Sequence, residues 1–220
     1  MVFLHGYLSS KESFLRQITY FSKFYRVTAL DFVGFGQSAP LTSPFSVGDY
    51  AEWLKAVLIE LRVRKPCVIA HSFGCRVAVK LASEDNDFFD KLLLTGPAGV
   101  ILKRGLAYHC KVKSYRMVKK IAPRFAERRF GSAEYKTLSP MMKESYKKIV
   151  NEDLRACAKK VKNKVLLVVG KEDKTTPVKE GEAYLKAFPN ARLQVVEGGH
   201  FAFVDDPLAF NLIAEEFLYE

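Results

Sequence analysis

The sequence predicts an α/β fold: a mostly parallel sheet of about six strands flanked by helices, with a helical insertion ahead of the last two strands. Three observations predict it. Short apolar, β-branched runs alternate with longer amphipathic ones, the pattern of parallel strands covered by helices on both faces. That alternation stops after Gly96-Pro97-Ala98-Gly99 and resumes only near residue 161. The chain has 220 residues, 49% of them hydrophobic, enough for one well-buried core plus an insertion and short for two full domains.

Strands are expected at residues 2–4, 27–30, 67–70, 92–95, 165–169 and 193–196. Between the second and third, Tyr50, Trp53, Leu54, Val57, Leu58 and Leu61 recur at helical spacing, and Ser46 with Asp49 has the pattern of a capping box. A C-terminal helix is equally legible: Asp206 can cap it, Pro207 suits its first turn, and Phe210, Ile213 and Phe217 form its apolar stripe. Residues 1–99 and 161–220 are read as the core, and residues 100–160 as a basic helical cap inserted over the sheet. Within that cap Leu106, Met117, Val118, Ile121, Phe125 and Phe130 face either the pocket or the cap's own interior, the latter being the commoner role for any one of them. No repeat or low-complexity run interrupts the chain.

Charge is unevenly spread. The net charge is +11, yet residues 101–164 hold 19 Lys plus Arg against 5 Asp plus Glu, a net +14 that leaves −3 on the remainder. Such a segment is either a surface attracted to anions or a solvated helical face. Cys67, Cys75, Cys110 and Cys157 lie far apart, which suits reduced thiols in a cytoplasmic protein. The apolar start at residues 1–4 is too short for a signal peptide, and no segment reaches membrane-spanning length. No His, Cys or carboxylate cluster has ligand spacing, so neither metal nor other cofactor is expected, and no nucleic-acid-binding module is present.

Ala70-His71-Ser72-Phe73-Gly74 joins an apolar strand to a helix around one serine, the setting of a nucleophile elbow. Small flanking residues are needed because side chains there would collide in the sharp turn. A serine hydroxyl is a poor nucleophile until a base takes its proton, so a histidine and a group to orient it are required. His200, delivered by Gly198-Gly199 after the last strand, is the expected base. His71 adjoins the serine but is expected to point away from it, His109 lies in the basic cap, and His5 belongs to the segment after the first strand. Asp173, at the end of another strand, is the expected acid, with Glu172 as the adjacent alternative and Asp205 or Asp206 assigned to capping. The backbone N–H groups of Tyr7 and Phe73 are the natural oxyanion donors. Phe3, His71, Phe201 and Phe203 sit beside these motifs as candidate pocket residues, although aromatics beside strands more often pack the core.

With these motifs the sequence resembles the α/β-hydrolase superfamily along essentially its whole length. The chain order Ser72, Asp173, His200 is that of this class. Residues 31–38, Asp-Phe-Val-Gly-Phe-Gly-Gln-Ser, are similar to the family's D-x-x-G-x-G-x-S loop, which is mainly structural there. The resemblance implies a serine hydrolase cleaving a small or medium ester-like substrate through an acyl-Ser72 intermediate, with no cofactor. It equally accommodates carbon–carbon bond cleavage or a lyase step on a carboxylate-bearing substrate, for which the basic cap is suited, and a catalytically weak binding protein on the same fold. Family members usually carry a further strand pair before the His5-Gly6 segment, which this sequence lacks. Residues 27–30 are therefore expected at a sheet edge, through which a homodimer can form.

Overall fold

A computed structural model describes residues 1–102 and 138–220. Six strands, β1 (Val2–Leu4), β2 (Thr28–Leu30), β3 (Val68–His71), β4 (Lys91–Thr95), β5 (Lys164–Gly170) and β6 (Ala191–Val196), form one sheet in the order β2-β1-β3-β4-β5-β6. Every pairing is parallel. All six expected strands are present within two residues of their expected bounds. Among the described residues β2 pairs with β1 alone, at one end of this order.

Because side chains alternate across a strand, the apolar runs divide between two cores. Val2, Leu4, Val68, Ala70, Leu92, Leu94, Val165 and Leu167 face one side, where they pack with α2 (Val47–Glu60) and α3 (Phe73–Glu84). Phe3, Ile69, Leu93, Leu166 and Val168 face the other, against α1 (Leu15–Phe21) and the C-terminal helix. Burial of a large apolar side chain contributes roughly 1.5–3 kcal/mol, so strands apolar on both faces are held from both sides.

The helix termini follow their sequence signals. Ser46 Oγ accepts from the Asp49 N–H at 3.2 Å, and Asp49 Oδ2 accepts from the Ser46 N–H at 2.6 Å, closing the capping box on α2. Between β4 and β5, α4 (Pro140–Val150) is capped by Ser139, and α5 (Arg155–Ala158) packs against α3. Leu106, His109, Cys110, Met117, Val118, Ile121, Phe125 and Phe130 lie outside the described residues. After β5 come α6 (Val178–Leu185), α7 (Ala202–Asp205) and α8 (Pro207–Tyr219). Asp206 Oδ1 caps α8 through the Ala209 N–H at 3.0 Å, with Pro207 in its first turn. Among the described residues Cys67, Cys75 and Cys157 are free thiols, and no helix is long and apolar enough to cross a membrane.

The strand order positions the site. From β1 the chain moves outward to β2, then returns past β1 to β3 and continues the other way. The loops after β1 and β3 therefore diverge, and the crevice between them is where ligands bind in open parallel sheets.

Candidate active site

Ser72 occupies the one-residue junction between β3 and α3 with φ 48° and ψ −104°. A non-glycine residue at positive φ is strained, and three contacts hold it there. The Ser72 N–H donates to Thr95 O at 3.1 Å, and Ser72 O accepts from the Cys75 N–H at 3.1 Å. The third is the close approach of α3 to β1: a Cβ at Gly74 would lie 2.4 Å from the Leu4 carbonyl oxygen. Glycine is thus required at the second flank of the serine. At the first flank Ala70 sits inside the strand, paired with Leu4 and Leu94, where a methyl group packs without conflict.

His200 lies on the loop after β6. Its Nδ1 is 2.8 Å from Asp173 Oδ2, in the turn after β5. Asp173 is 4% exposed and otherwise fully bonded: Oδ1 accepts from the N–H groups of Thr175 and Thr176, at 2.7 and 2.9 Å, and Oδ2 from Thr176 Oγ1 at 2.7 Å. Burial alone would raise the pKa of this carboxyl, but the hydrogen bonds from His200 and Thr176 outweigh it, and the pKa falls below the ordinary value. Glu172 is exposed and takes no part; its N–H donates to Gly198 O at 3.0 Å. With Nδ1–H committed to Asp173, the other ring nitrogen of His200 is the available base.

Two further groups hold the histidine loop. The Gly199 N–H donates to Asp205 Oδ2 at 2.8 Å, so Asp205 braces this loop and Asp206 alone caps α8. His71 Nε2 lies 3.0 Å from His200 O, which makes Nε2 the donor. Burial, followed by the neighbouring His200, pushes the His71 pKa down to about 3, so the ring is neutral. At Gly96, φ +50°, a side chain would be strained, and its Cβ would stand a tight 3.1 Å from the His200 ring.

The segment after β1 is fixed by His5. Its Nδ1–H donates to Gly6 O at 2.7 Å, and its Nε2 accepts from the Phe32 N–H at 3.0 Å. Burial lowers the pKa of this ring also, in keeping with a neutral tautomer. Asp31 accepts from Lys11 N, Lys11 Nζ and Gln37 N at 2.7, 2.9 and 3.0 Å, so the loop of residues 31–38 braces the first loop from behind.

Ser72, His200, Gly6, Tyr7 and Phe73 line one cavity. Of the expected pocket residues, His71 and Phe201 line it, with ring centroids 4.7 Å apart. Phe3 and Phe203 do not. Phe3 points to the opposite face of the sheet from Leu4 and meets Phe14 at 5.2 Å, while Phe203 stacks on Phe14 at 4.4 Å within the same core. The alternation of β1 and the burial of α7 decide both cases. Two lining residues went unnoticed in the sequence. Thr176 bridges Asp173 and His200, and its signal was the Asp-x-x-Thr spacing, which lets an aspartate accept from the backbone of its own turn. Arg76 lies four residues beyond Ser72, at the fourth position of α3, and lines the same cavity.

Residues 1–109 match the family model described as alpha/beta hydrolase fold. A probable lysophospholipase of Arabidopsis thaliana, BODYGUARD 3, is 32% identical over 130 residues, covering 56% of this chain and only a quarter (25%) of that protein's length. An esterase from Exiguobacterium antarcticum superposes with a TM-score of 0.79 at 21% identity, covering 100% of this chain and 91% of the other. A meta-cleavage product hydrolase from Pseudomonas fluorescens gives 0.75 at 20% identity, covering 99% and 90%. These structural likenesses span the chain and concern the fold. With a family match that begins at β1 and includes the Ser72 turn, they show that this chain has the α/β-hydrolase fold.

Proposed function

We propose that this chain is a serine hydrolase that cleaves a small or medium ester-like substrate through an acyl-Ser72 intermediate. One observation carries the reading: a serine on a strained strand-to-helix turn lines the same cavity as a histidine whose other nitrogen is bonded to a buried carboxylate. Ser72 Oγ attacks the ester carbon while His200 Nε2 takes its proton. The carbonyl oxygen becomes an oxyanion, accepted by the backbone N–H groups of Tyr7 and Phe73. His200 then protonates the departing alkoxide, leaving Ser72 acylated. A water molecule, deprotonated by the same nitrogen, releases the acid and returns the serine hydroxyl. Asp173 fixes the tautomer and stabilises the imidazolium without itself taking the proton. Free thiols at Cys67, Cys75 and Cys157 suit a cytoplasmic setting.

A second reading, carbon–carbon bond hydrolysis of a carboxylate-bearing substrate, is favoured by the cation Arg76 in the cavity wall. It uses the same serine and histidine. Labelling with a fluorophosphonate tests the nucleophile common to both: wild type is expected to label, and Ser72→Ala and His200→Ala to lose labelling together with ester turnover by about 10⁴-fold or more. A folded wild-type protein that stays unlabelled overturns the assignment.

A further inference from the structure

Arg76 is 7% exposed, yet it lines the cavity that Ser72 and His200 share. One end of the guanidinium is committed. Nη1 donates to Ile149 O at 2.9 Å and to Glu152 O at 2.8 Å, closing the C-terminal end of α4. Nε and Nη2 donate to no described residue, and no carboxylate lies within salt-bridge distance among them. The acidic groups that act on Arg76 from further off are engaged elsewhere. Glu152 Oε1 is 3.5 Å from Lys80 Nζ, Asp153 holds Arg155 at 2.6 Å, and Glu180, which also lines the cavity, is not free.

A buried charge without a counter-ion is unfavourable unless something else compensates it. The carbonyls at the end of α4 do so in part, since a helix C-terminus carries a partial negative charge. Water can satisfy the two remaining donors but not the charge. An oxyanion satisfies both. Nε–H and one Nη2–H point along the same edge of the guanidinium, the edge that receives a carboxylate or phosphate with two parallel hydrogen bonds. Arg76 and Ser72 line the same cavity, so an anion held on that edge and a carbonyl at the serine can belong to one ligand.

We infer that Arg76 is the specificity-determining residue of this site, and that the substrate carries an oxyanion, carboxylate or phosphate, on its acyl portion a few carbons from the bond cleaved. The substrate part of this inference rests on the hydrolase reading; the anion site itself does not.

The test compares three 4-nitrophenyl esters of equal acyl length, ending in a methyl, a carboxylate or a phosphonate group, on wild type, Arg76→Lys and Arg76→Gln. The readout is the ratio of kcat/KM for each anionic ester to that for the neutral one, which cancels any general damage from loosening α4. Wild type is expected to favour one anionic ester, and Arg76→Gln to reduce that ratio about ten- to a hundredfold, with partial retention in Arg76→Lys. The preferred anionic ester distinguishes a carboxylate from a phosphate substrate. A wild-type ratio at or below one, or a ratio unchanged in Arg76→Gln, overturns the inference. If no ester turns over and no fluorophosphonate label appears, the hydrolase reading has failed by itself. Calorimetric titration with glutarate and with 3-phosphonopropionate then decides the anion site: binding to wild type that Arg76→Gln abolishes upholds it, and no binding of either overturns it.

Discussion

His71 shows how much one side chain beside Ser72 can control. Its ring is held neutral by burial, with the pKa pushed down to about 3, while an unfolded histidine titrates near 6.5. Between those values the unfolded chain binds a proton that the folded chain does not. The stability this represents is fully present above about pH 6.5 and is lost as pH falls toward about 3, with a limiting slope of roughly 1.4 kcal/mol per pH unit. His71→Gln keeps an amide donor for His200 O but cannot titrate. Urea unfolding between pH 4 and 7 is expected to give a flatter stability profile for His71→Gln than for wild type; identical slopes would mean that His71 ionises inside the fold. His5, its pKa also lowered by burial, and carboxyls lowered below their ordinary value, Asp173 among them, contribute to the part of the slope that remains. None of this was legible in the sequence, which marks a histidine next to a serine but not the carbonyl it bonds. Ser72, Asp173 and His200 were legible because each follows an apolar strand and is announced by small residues. Thr176 and Arg76 act through contacts that only the folded chain assembles, although both stood at informative spacings.

At the level of elements, the distance between β1 and α3 governs the site, and Gly74 governs that distance. A Cβ there would meet not only Leu4 O but also the Leu4 carbonyl carbon at 2.8 Å and His5 O at 2.9 Å, all backbone atoms that no rotamer change can clear. Gly74→Ala must therefore push α3 away from the loop that carries Tyr7. The expected cost is about 1–3 kcal/mol of stability, as for other overpacked cores. Thermal unfolding measures this loss, and the fluorophosphonate labelling rate should fall with it, since Phe73 and Tyr7 separate. A variant of wild-type stability and labelling rate would show that the turn can relax. The strands were readable in the sequence because β-branched apolar runs punctuated by glycine have few other uses in a chain of this kind. β6 begins two residues earlier than its apolar run, at Ala191, because pairing with β5 extends along backbone that carries Ala191 and Arg192, neither of which signals a strand. The face that each strand residue takes was the harder matter. Phe3 was a candidate for the pocket by its neighbourhood, and the two-residue period of β1 sends it to the other core.

Across the whole molecule, the charge pattern separates what happens before contact from what happens within the site. Residues 101–164 carry a net +14 and the remainder −3, so an anionic ester approaching that segment meets an attractive field. That field is screened by salt: the Debye length falls from about 30 Å at 0.01 M to about 8 Å at 0.15 M. The Arg76 guanidinium, being 7% exposed, acts at contact distance and is screened far less. The two contributions therefore respond differently. Raising ionic strength over this range is expected to lower kcat/KM for an anionic ester more steeply than for a neutral ester of the same length, in wild type and Arg76→Gln alike. Arg76→Gln should shift the anionic-to-neutral ratio downward at every salt concentration while leaving its slope nearly intact. Equal salt slopes for the two esters would mean that the basic segment does not steer substrate, and would leave recognition of the anion to the cavity alone.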